Sequence, residues 1–353
     1  MSGETTGSGP VPRMPNLWGG VAVFTGVLVA WNALFFIAGL WHGLWWLGLA
    51  GDFALVVLIA ERIGRMVPPR RRKLYERTLA LGFPVLALIA WQLIVDAGIL
   101  SPTWFPPPTR IAKALWELTT TYDKFNKTSL FGRPWLIPEA WRESGFAGAW
   151  SLIAESHVWV TLARVGIGFV LGAIPGLLLG VVMGVNQTVR LMLDTTLSAI
   201  YVLPKIAIFP IVMLMFADPF GEGPKIAVVA ISVFFLVTIN TMAGVRDIDP
   251  VFIQAGRNYG ARGPALLWHV ILPAALPIIF AGLRLALGTA LIVIIAVEFV
   301  RAKQGVGFIT FYYWEVLVPD KMYAGLAVVM VLGVGLTAIL QWVERRIMPW
   351  QRH

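Results

Sequence analysis

Residues 254–273 read Q-A-G-R-N-Y-G-A-R-G-P-A-L-L-W-H-V-I-L-P, a mostly polar, basic stretch set between two long apolar runs. Its local signals are those of a short helix. Asp249-Pro250 supplies a start, since an Asp side chain accepts first-turn amides and proline is tolerated there. Val251 to Tyr259 then forms the helix, and Gly260 ends it by allowing a left-handed backbone. A second helical stretch begins near Pro264 and runs towards Pro273. A helix this short and polar is not a span, and with a span on each side it lies at the membrane surface. There it presents Gln254, Arg257 and Asn258 to a soluble partner; an amphipathic interfacial helix with no partner is the plainer alternative. Gly256 costs such a helix about 1 kcal/mol relative to alanine, so docking of the partner is expected to order it.

Composition sets the class. Of 353 residues, 58% are hydrophobic and 13% charged, and the mean hydropathy is +0.76. That much apolar surface needs lipid as its solvent, which excludes a soluble globular chain. The 16 Trp and 7 Tyr suit the two membrane interfaces. The net charge of +9 reflects basic loops facing anionic headgroups, not nucleic acid. There is no cysteine, hence no thiol chemistry, and His42, His157, His269 and His353 show no metal-ligand spacing.

Eight runs are long enough to cross about 30 Å of hydrocarbon: 18–39, 43–61, 78–97, 158–183, 196–216, 225–243, 275–299 and 323–343. The first 16 residues are rich in Gly, Ser and Pro and are expected to be disordered. They make a poor signal peptide, because their only basic residue is Arg13 and the following apolar run is too long. Gly39 to Trp45 is so short that the first two spans form a tight hairpin. Basic residues cluster after even-numbered spans: Arg62, Arg65, Arg70, Arg71, Arg72, Lys73 and Arg77, then Arg190, then Arg246, Arg257 and Arg262, then Arg345, Arg346 and Arg352. With eight spans these all share one side, and the positive-inside rule makes it the cytoplasm, with both termini there.

The 254–273 stretch resembles the cytoplasmic coupling loop of an ABC importer permease: E-A-A, three residues, Gly, nine residues, an aliphatic residue, one more, then Leu-Pro. Gln254, Ala255 and Gly256 occupy the triplet, Gly260 the lone glycine, Val270 the aliphatic position and Leu272-Pro273 the end. Gln254 stands where Glu is usual and Gly256 where Ala is usual. S-P-T-W-F-P-P-P-T-R-I at 101–111, L-P-K-I-A-I-F-P at 203–210, N-T-M-A-G-V-R-D-I-D-P at 240–250 and G-L-R-L-A-L-G at 282–288 are similar to the subgroup serving nitrate, bicarbonate, taurine and aliphatic sulfonates. The resemblance covers about Leu79 to Arg346.

It implies an all-α polytopic membrane protein of the type I ABC importer permease class, a six-span core usually working as a homodimer. The chain adds a transmembrane hairpin at 17–62 and lengthens the segment from Thr119 to Ser156. The expected organisation is a 1–16 cytoplasmic tail, the 17–62 hairpin, a basic cytoplasmic loop at 63–77, a span at 78–97, a periplasmic segment at 98–156, the core at 157–346 with its coupling loop at 246–273, and a tail at 347–353.

Gly168, Gly172, Gly176, Gly180 and Gly184 recur every four residues in one span. Each step of four rotates about 40° around a helix, so the glycines trace a spiralling groove that another helix can approach closely. Tight packing is the preferred reading over a direct substrate role, and Pro175 within the groove allows a kink. Two intramembrane charges are pathway candidates, because ionisable groups there usually face a water-filled cavity or a partner. Lys205 falls near the middle of the fifth run, between Pro204 and Pro210, with snorkelling or a structural pair as the alternative. Glu298, near the outer end of the seventh run, is equally a candidate for pairing with Arg301. Arg164 and Arg284 are read as snorkelling to headgroups.

No G-x-x-x-x-G-K-[ST] phosphate loop, nucleophile elbow or zinc-ligand helix occurs. The chain is therefore read as a non-catalytic permease with no cofactor or metal of its own. The resemblance implies its partners: an ATPase dimer that binds ATP and Mg and docks on Phe252, Gln254, Ala255, Gly256, Arg257, Asn258 and Gly260; a periplasmic binding protein delivering a small anion such as a sulfonate, taurine, nitrate or a carboxylate; a second permease copy; and the lipid bilayer of the bacterial inner membrane. An ion-coupled secondary transporter is the alternative; it would need a coupling-ion site and typically an internal repeat, and no repeat is visible.

Overall fold

The computed structural model describes residues 17–122 and 129–351; the expected 1–16 tail and Arg352 lie outside the described residues. The helices are α1 (Leu17–Ile37), α2 (Trp41–Met66), α3 (Arg72–Asp96), α4 (Pro108–Thr120), α5 (Ile137–Ala154), α6 (His157–Val185), α7 (Gln187–Val202), α8 (Lys205–Leu214), α9 (Glu222–Arg246), α10 (Pro250–Asn258), α11 (Pro264–Leu266), α12 (Leu272–Arg301), α13 (Val306–Glu315) and α14 (Pro319–Ile347). Among the described residues there is no β-strand, only an isolated bridge between Ser129 and Ser156. Among the described residues, seven helical segments are long and apolar enough to cross a membrane, and the α7–α8 pair is a candidate eighth.

The chain divides into two units, one ending at Thr109 and one beginning at Arg110. In the first, α1 and α2 pack as the expected hairpin. The Asn32 amide donates to the Asp52 carboxylate at 2.7 Å, and the Trp31 indole donates to the Gly48 carbonyl at 3.3 Å. The Tyr75 hydroxyl of α3 donates to the Ala60 carbonyl of α2.

The second unit is organised by α6 and α9. A methyl group built on Gly168 would lie 2.6 Å from Val229; on Gly172, 2.9 Å from Val233; on Gly176, 3.1 Å from Val237; on Gly180, 2.6 Å from Thr241; Gly184 meets Val245. Both helices thus contribute a residue every four positions, and both numberings rise together. The contact is therefore parallel, backbone on β-branched ridge, close enough that any side chain on α6 would displace α9. Pro175 leaves α6 a single helix with no non-helical residue inside it.

Two parallel helices whose starts, His157 and Glu222, share one end require the chain between them to cross back. That return is α7 and α8, which corrects the expectation of one straight fifth span: the two are bent by 98°. The cause is local. Leu203 precedes Pro204, whose ring disfavours helical backbone before it, and both residues are extended (ψ 135° and 114°). Hydropathy runs through this break unchanged. Lys205 consequently begins α8 and is not mid-helix.

α12 runs antiparallel to α9, with Gly282 against Asn240 and Gly244 against Ile278. The stretch from Pro264 does not stop at Pro273. It leads through a π-helical turn at Leu267–Ile271 directly into α12. α14 returns beside α12, where Arg284 pairs with Glu344 instead of snorkelling. Val185, Arg246, α10 and the end of α14 therefore share one end of the unit, and His157, Glu222, Arg301 and Pro319 share the other. At that second end α4 is tied to α14 by Arg110–Asp320 at 2.7 Å and Lys321–Glu117 at 3.8 Å.

Candidate functional site

The surface helix α10 is built by its ends. Asp249 accepts the Val251 amide at 2.9 Å, and Pro250 occupies the first turn. At the other end the Gly260 amide donates to the Arg257 carbonyl at 2.9 Å and the Ala261 amide to the Gly256 carbonyl at 3.0 Å, with Gly260 at φ +89°. That pair of bonds is a Schellman motif, which needs a left-handed residue at this position.

One face of α10 is held and the other is open. Ile253 packs against the main core, and a methyl on Gly256 would lie 2.7 Å from Val270 and 3.1 Å from Leu266. This contact explains the glycine where alanine is usual: Val270, the aliphatic residue of the same motif, fills the space. The lost helix propensity is thus exchanged for close packing on α11 and the π-turn. The remaining face carries Gln254, Ala255, Arg257 and Asn258, all exposed, with Phe252 57% and Tyr259 95% exposed. Beside it, Arg246 holds the Asp247 carboxyl below the usual range by a hydrogen bond at 2.7 Å. Exposed aromatic and cationic groups on a rigid helix, at the end of four packed spans, form a docking surface suited to a protein partner.

At the opposite end lies a charge cluster that sequence reasoning did not assemble. Glu298 is completely buried and Arg164 nearly so. The Arg164 guanidinium donates to Glu298 at 2.6 Å, to the Gln304 carbonyl at 2.7 Å and to Glu222 at 2.8 Å, while Lys225 donates to Glu222 at 2.9 Å. The Thr161 hydroxyl donates to Glu298 at 2.9 Å and accepts the Val306 amide at 2.9 Å; the Gly307 amide donates to Glu298 at 2.8 Å. Glu298 thereby caps α13 while joining it to α6 and α12. Two cations and two carboxylates balance, and burial is tolerated because each is paired and hydrogen-bonded.

One expectation is corrected here: Arg164 is buried and pairs with Glu298 instead of snorkelling. The expected pairing of Glu298 with Arg301 rests on a side chain that lies outside the described ones. The arrangement is one of positioning: every oxygen of Glu298 is occupied from within the fold. Thr161, Glu222, Gly305 and Gly307 belong to it as well, since a side chain on Gly305 would strike the Glu298 carboxylate. A signal was available in the sequence: two residues of each sign, placed near the same ends of otherwise apolar spans.

Lys205 stands apart from both clusters. It is half-buried, its ammonium held by the Tyr201 and Leu203 carbonyls, the latter at 3.1 Å, with the Tyr201 ring centroid at 4.6 Å. The glycines at 168, 172, 176 and 180 are buried against α9, away from any open surface. Among the described residues no cluster of potential metal ligands occurs.

Known proteins resolve what this architecture is for. The aliphatic sulfonates transport permease protein SsuC of Escherichia coli, putative by its name, is 30% identical over 267 residues, 76% of this chain and 89% of that protein. The chain belongs to the binding-protein-dependent transport system inner membrane components. The model of that family matches residues 176–349, which include α10 and the charge cluster's Glu298. The taurine transport system permease protein TauC of Escherichia coli is 29% identical over 295 residues, 83% of this chain and 98% of TauC. The nitrate import permease protein NrtB of Synechococcus elongatus is 25% identical over 271 residues, 75% of this chain and 88% of NrtB. The chain is accordingly an ABC importer permease, a multi-pass inner-membrane transport protein, and the reading as an ion-coupled secondary transporter is set aside.

Proposed function

We propose that this permease forms the pore for a small anion delivered by a periplasmic binding protein, and that a separate ATPase dimer, holding ATP and Mg, drives it by docking on Phe252 to Gly260. The observation that carries the reading is α10: a short helix with capped ends, one face clamped by Val270 and the other exposed, on the end of the bundle where basic residues gather. Such a helix moves with the spans it joins, so force applied to it reaches α9 and α12. An anion is the class favoured by the similar permeases, whose names carry taurine, aliphatic sulfonates and nitrate. A second copy of the chain completes the pore. The test is uptake by proteoliposomes holding the permease, its ATPase and its binding protein; uptake that persists without the ATPase sinks the proposal.

Lys205 is the residue we assign to the path. It lies at the break between α7 and α8, where the Tyr201 and Leu203 carbonyls hold a cation that stays partly exposed. In a two-fold dimer it appears twice. A unit charge acting on an anion about 10 Å away, at an effective dielectric of about 20, contributes roughly 1.7 kcal/mol, about fifteenfold in affinity. Lys205→Met is therefore expected to raise the KM for uptake by about that factor, and Lys205→Arg to raise it less. An unchanged KM in the Met variant removes Lys205 from the path.

The side of α10 is tested by labelling, since the chain contains no cysteine. Single cysteines at the exposed positions Glu143, Ala217 and Glu315 are expected to react with an impermeant thiol reagent added outside intact cells. Those at Asn258, Arg262 and Arg345 are expected to stay protected. Labelling of position 258 from outside reverses the orientation, because basic loops then face the wrong side.

A further inference from the structure

The segment that lengthens this chain relative to the family pattern, 119–156, carries a ladder of exposed aromatic rings. Trp141 meets Phe146 at 6.3 Å edge to face, Phe146 stacks on Trp150 at 6.1 Å, and Trp150 meets Trp159 at 6.0 Å edge to face. Phe146 is 68% and Trp141 55% exposed. The register is not that of a regular helix: five residues advance about 500°, which puts Trp141 and Phe146 about 140° apart. Gly145, at φ +61° with open space around it, supplies the left-handed turn that brings the two rings onto one face. Behind the ladder, Ala149 and Leu152 are buried, and Arg133 fixes the segment through Glu155 at 2.9 Å and the Tyr122 ring at 4.0 Å. The exposed rings are thus held in place and not left over from a loose loop.

We infer that this aromatic face of α5 lies in the bilayer interface and anchors the His157 end of the permease to lipid. Continuity with a span decides the occupant. Trp159 is in the first turn of α6, which crosses the membrane, so the last ring of the ladder is at the depth where a spanning helix enters the headgroup region. Trp150 and Phe146 extend the same surface sideways from that point. Tryptophan, apolar with one polar edge, is the side chain favoured at this depth, and a helix presenting such a face along the surface binds by burying it among headgroups and upper acyl chains. Glu139, Arg142 and Glu143 are exposed on the same helix and supply its water-facing side. The inference is independent of which side of the membrane this end occupies.

The test uses the full chain with one cysteine introduced at Phe146, Trp150 or Glu143, each labelled with the environment-sensitive fluorophore NBD. The labelled permease is placed in nanodiscs of phosphatidylethanolamine and phosphatidylglycerol. Lipids carrying a doxyl quencher high on the acyl chain are expected to cause loss of emission at positions 146 and 150, more than lipids with a deep quencher, and little loss at 143. Equal, weak quenching at all three positions overturns the inference. So does emission at 146 that shifts to the blue only when the binding protein is added, which would make the face a protein contact. A melting temperature matching the parent's confirms that each variant is folded, and Trp150→Tyr, which keeps an interfacial ring, is expected to leave quenching at 146 unchanged.

Discussion

Replacing Glu298 by alanine is expected to lower the stability of the permease by about 3–5 kcal/mol, the range for removing one member of a buried charge pair. The loss has identifiable parts. The Gly307 amide and the Thr161 hydroxyl lose their acceptor, and Arg164 keeps only Glu222 and the Gln304 carbonyl. Three helices, α6, α12 and α13, are joined through this carboxylate, so the fault is expected to spread over that whole end of the bundle. Glu298→Gln keeps the shape and one acceptor for Gly307, and its loss is expected to be smaller. Charge accounting gives a sharper outcome. With Arg164→Met and Glu298→Leu together, the remaining Glu222–Lys225 pair is neutral, and a large part of the stability is expected to return. Melting of the purified variants in detergent measures all three. An alanine variant that melts with the parent would show that the cluster holds nothing together.

What the sequence made legible was local or periodic. The boundaries of α10 followed from Asp249-Pro250 and Gly260, because capping chemistry acts within a turn. The glycine stripe announced its packing, because a four-residue repeat on a helix is a surface pattern whatever lies opposite. The partner ridge at Val229, Val233, Val237, Thr241 and Val245 has the same spacing, and could have been paired with the stripe. What stayed hidden was of two kinds. The break between α7 and α8 left no mark on hydropathy, since a bent apolar run is as apolar as a straight one; only Leu203-Pro204 recorded it. The partner of Arg164 was hidden by distance along the chain, for Glu298 lies 134 residues away. Read alone, an arginine near a span end looks like a snorkelling residue. Gly256 shows the same limit on a small scale: helix propensity counts it as a defect, and only the position of Val270 turns it into a fit.

Replacing Gly260 by valine is expected to lower substrate-stimulated ATP hydrolysis and uptake roughly five- to thirtyfold while leaving the permease folded. A methyl at this position meets nothing within 4 Å, so the effect comes from backbone conformation and not from collision. At φ +89° an L-residue carries a cost of roughly 1–2 kcal/mol, more for a β-branched one. Escape from that cost breaks the bonds from Gly260 to Arg257 and from Ala261 to Gly256, and the last turn of α10 then loses its direction. α10 has no fully buried residue; it is held by Ile253 and Gly256 alone, and has little else to resist with. A penalty of that size makes the correctly placed helix roughly five- to thirtyfold rarer. For the same reason the melting temperature is expected to stay near the parent's, which separates loss of coupling from loss of fold. Gly260→Asn is the control, because asparagine tolerates the left-handed region better than other side chains, and it is expected to keep part of the activity. If the valine variant hydrolyses ATP in response to substrate as the parent does, the ATPase docks elsewhere, and the exposed face around Phe252 and Arg257 loses its assigned role.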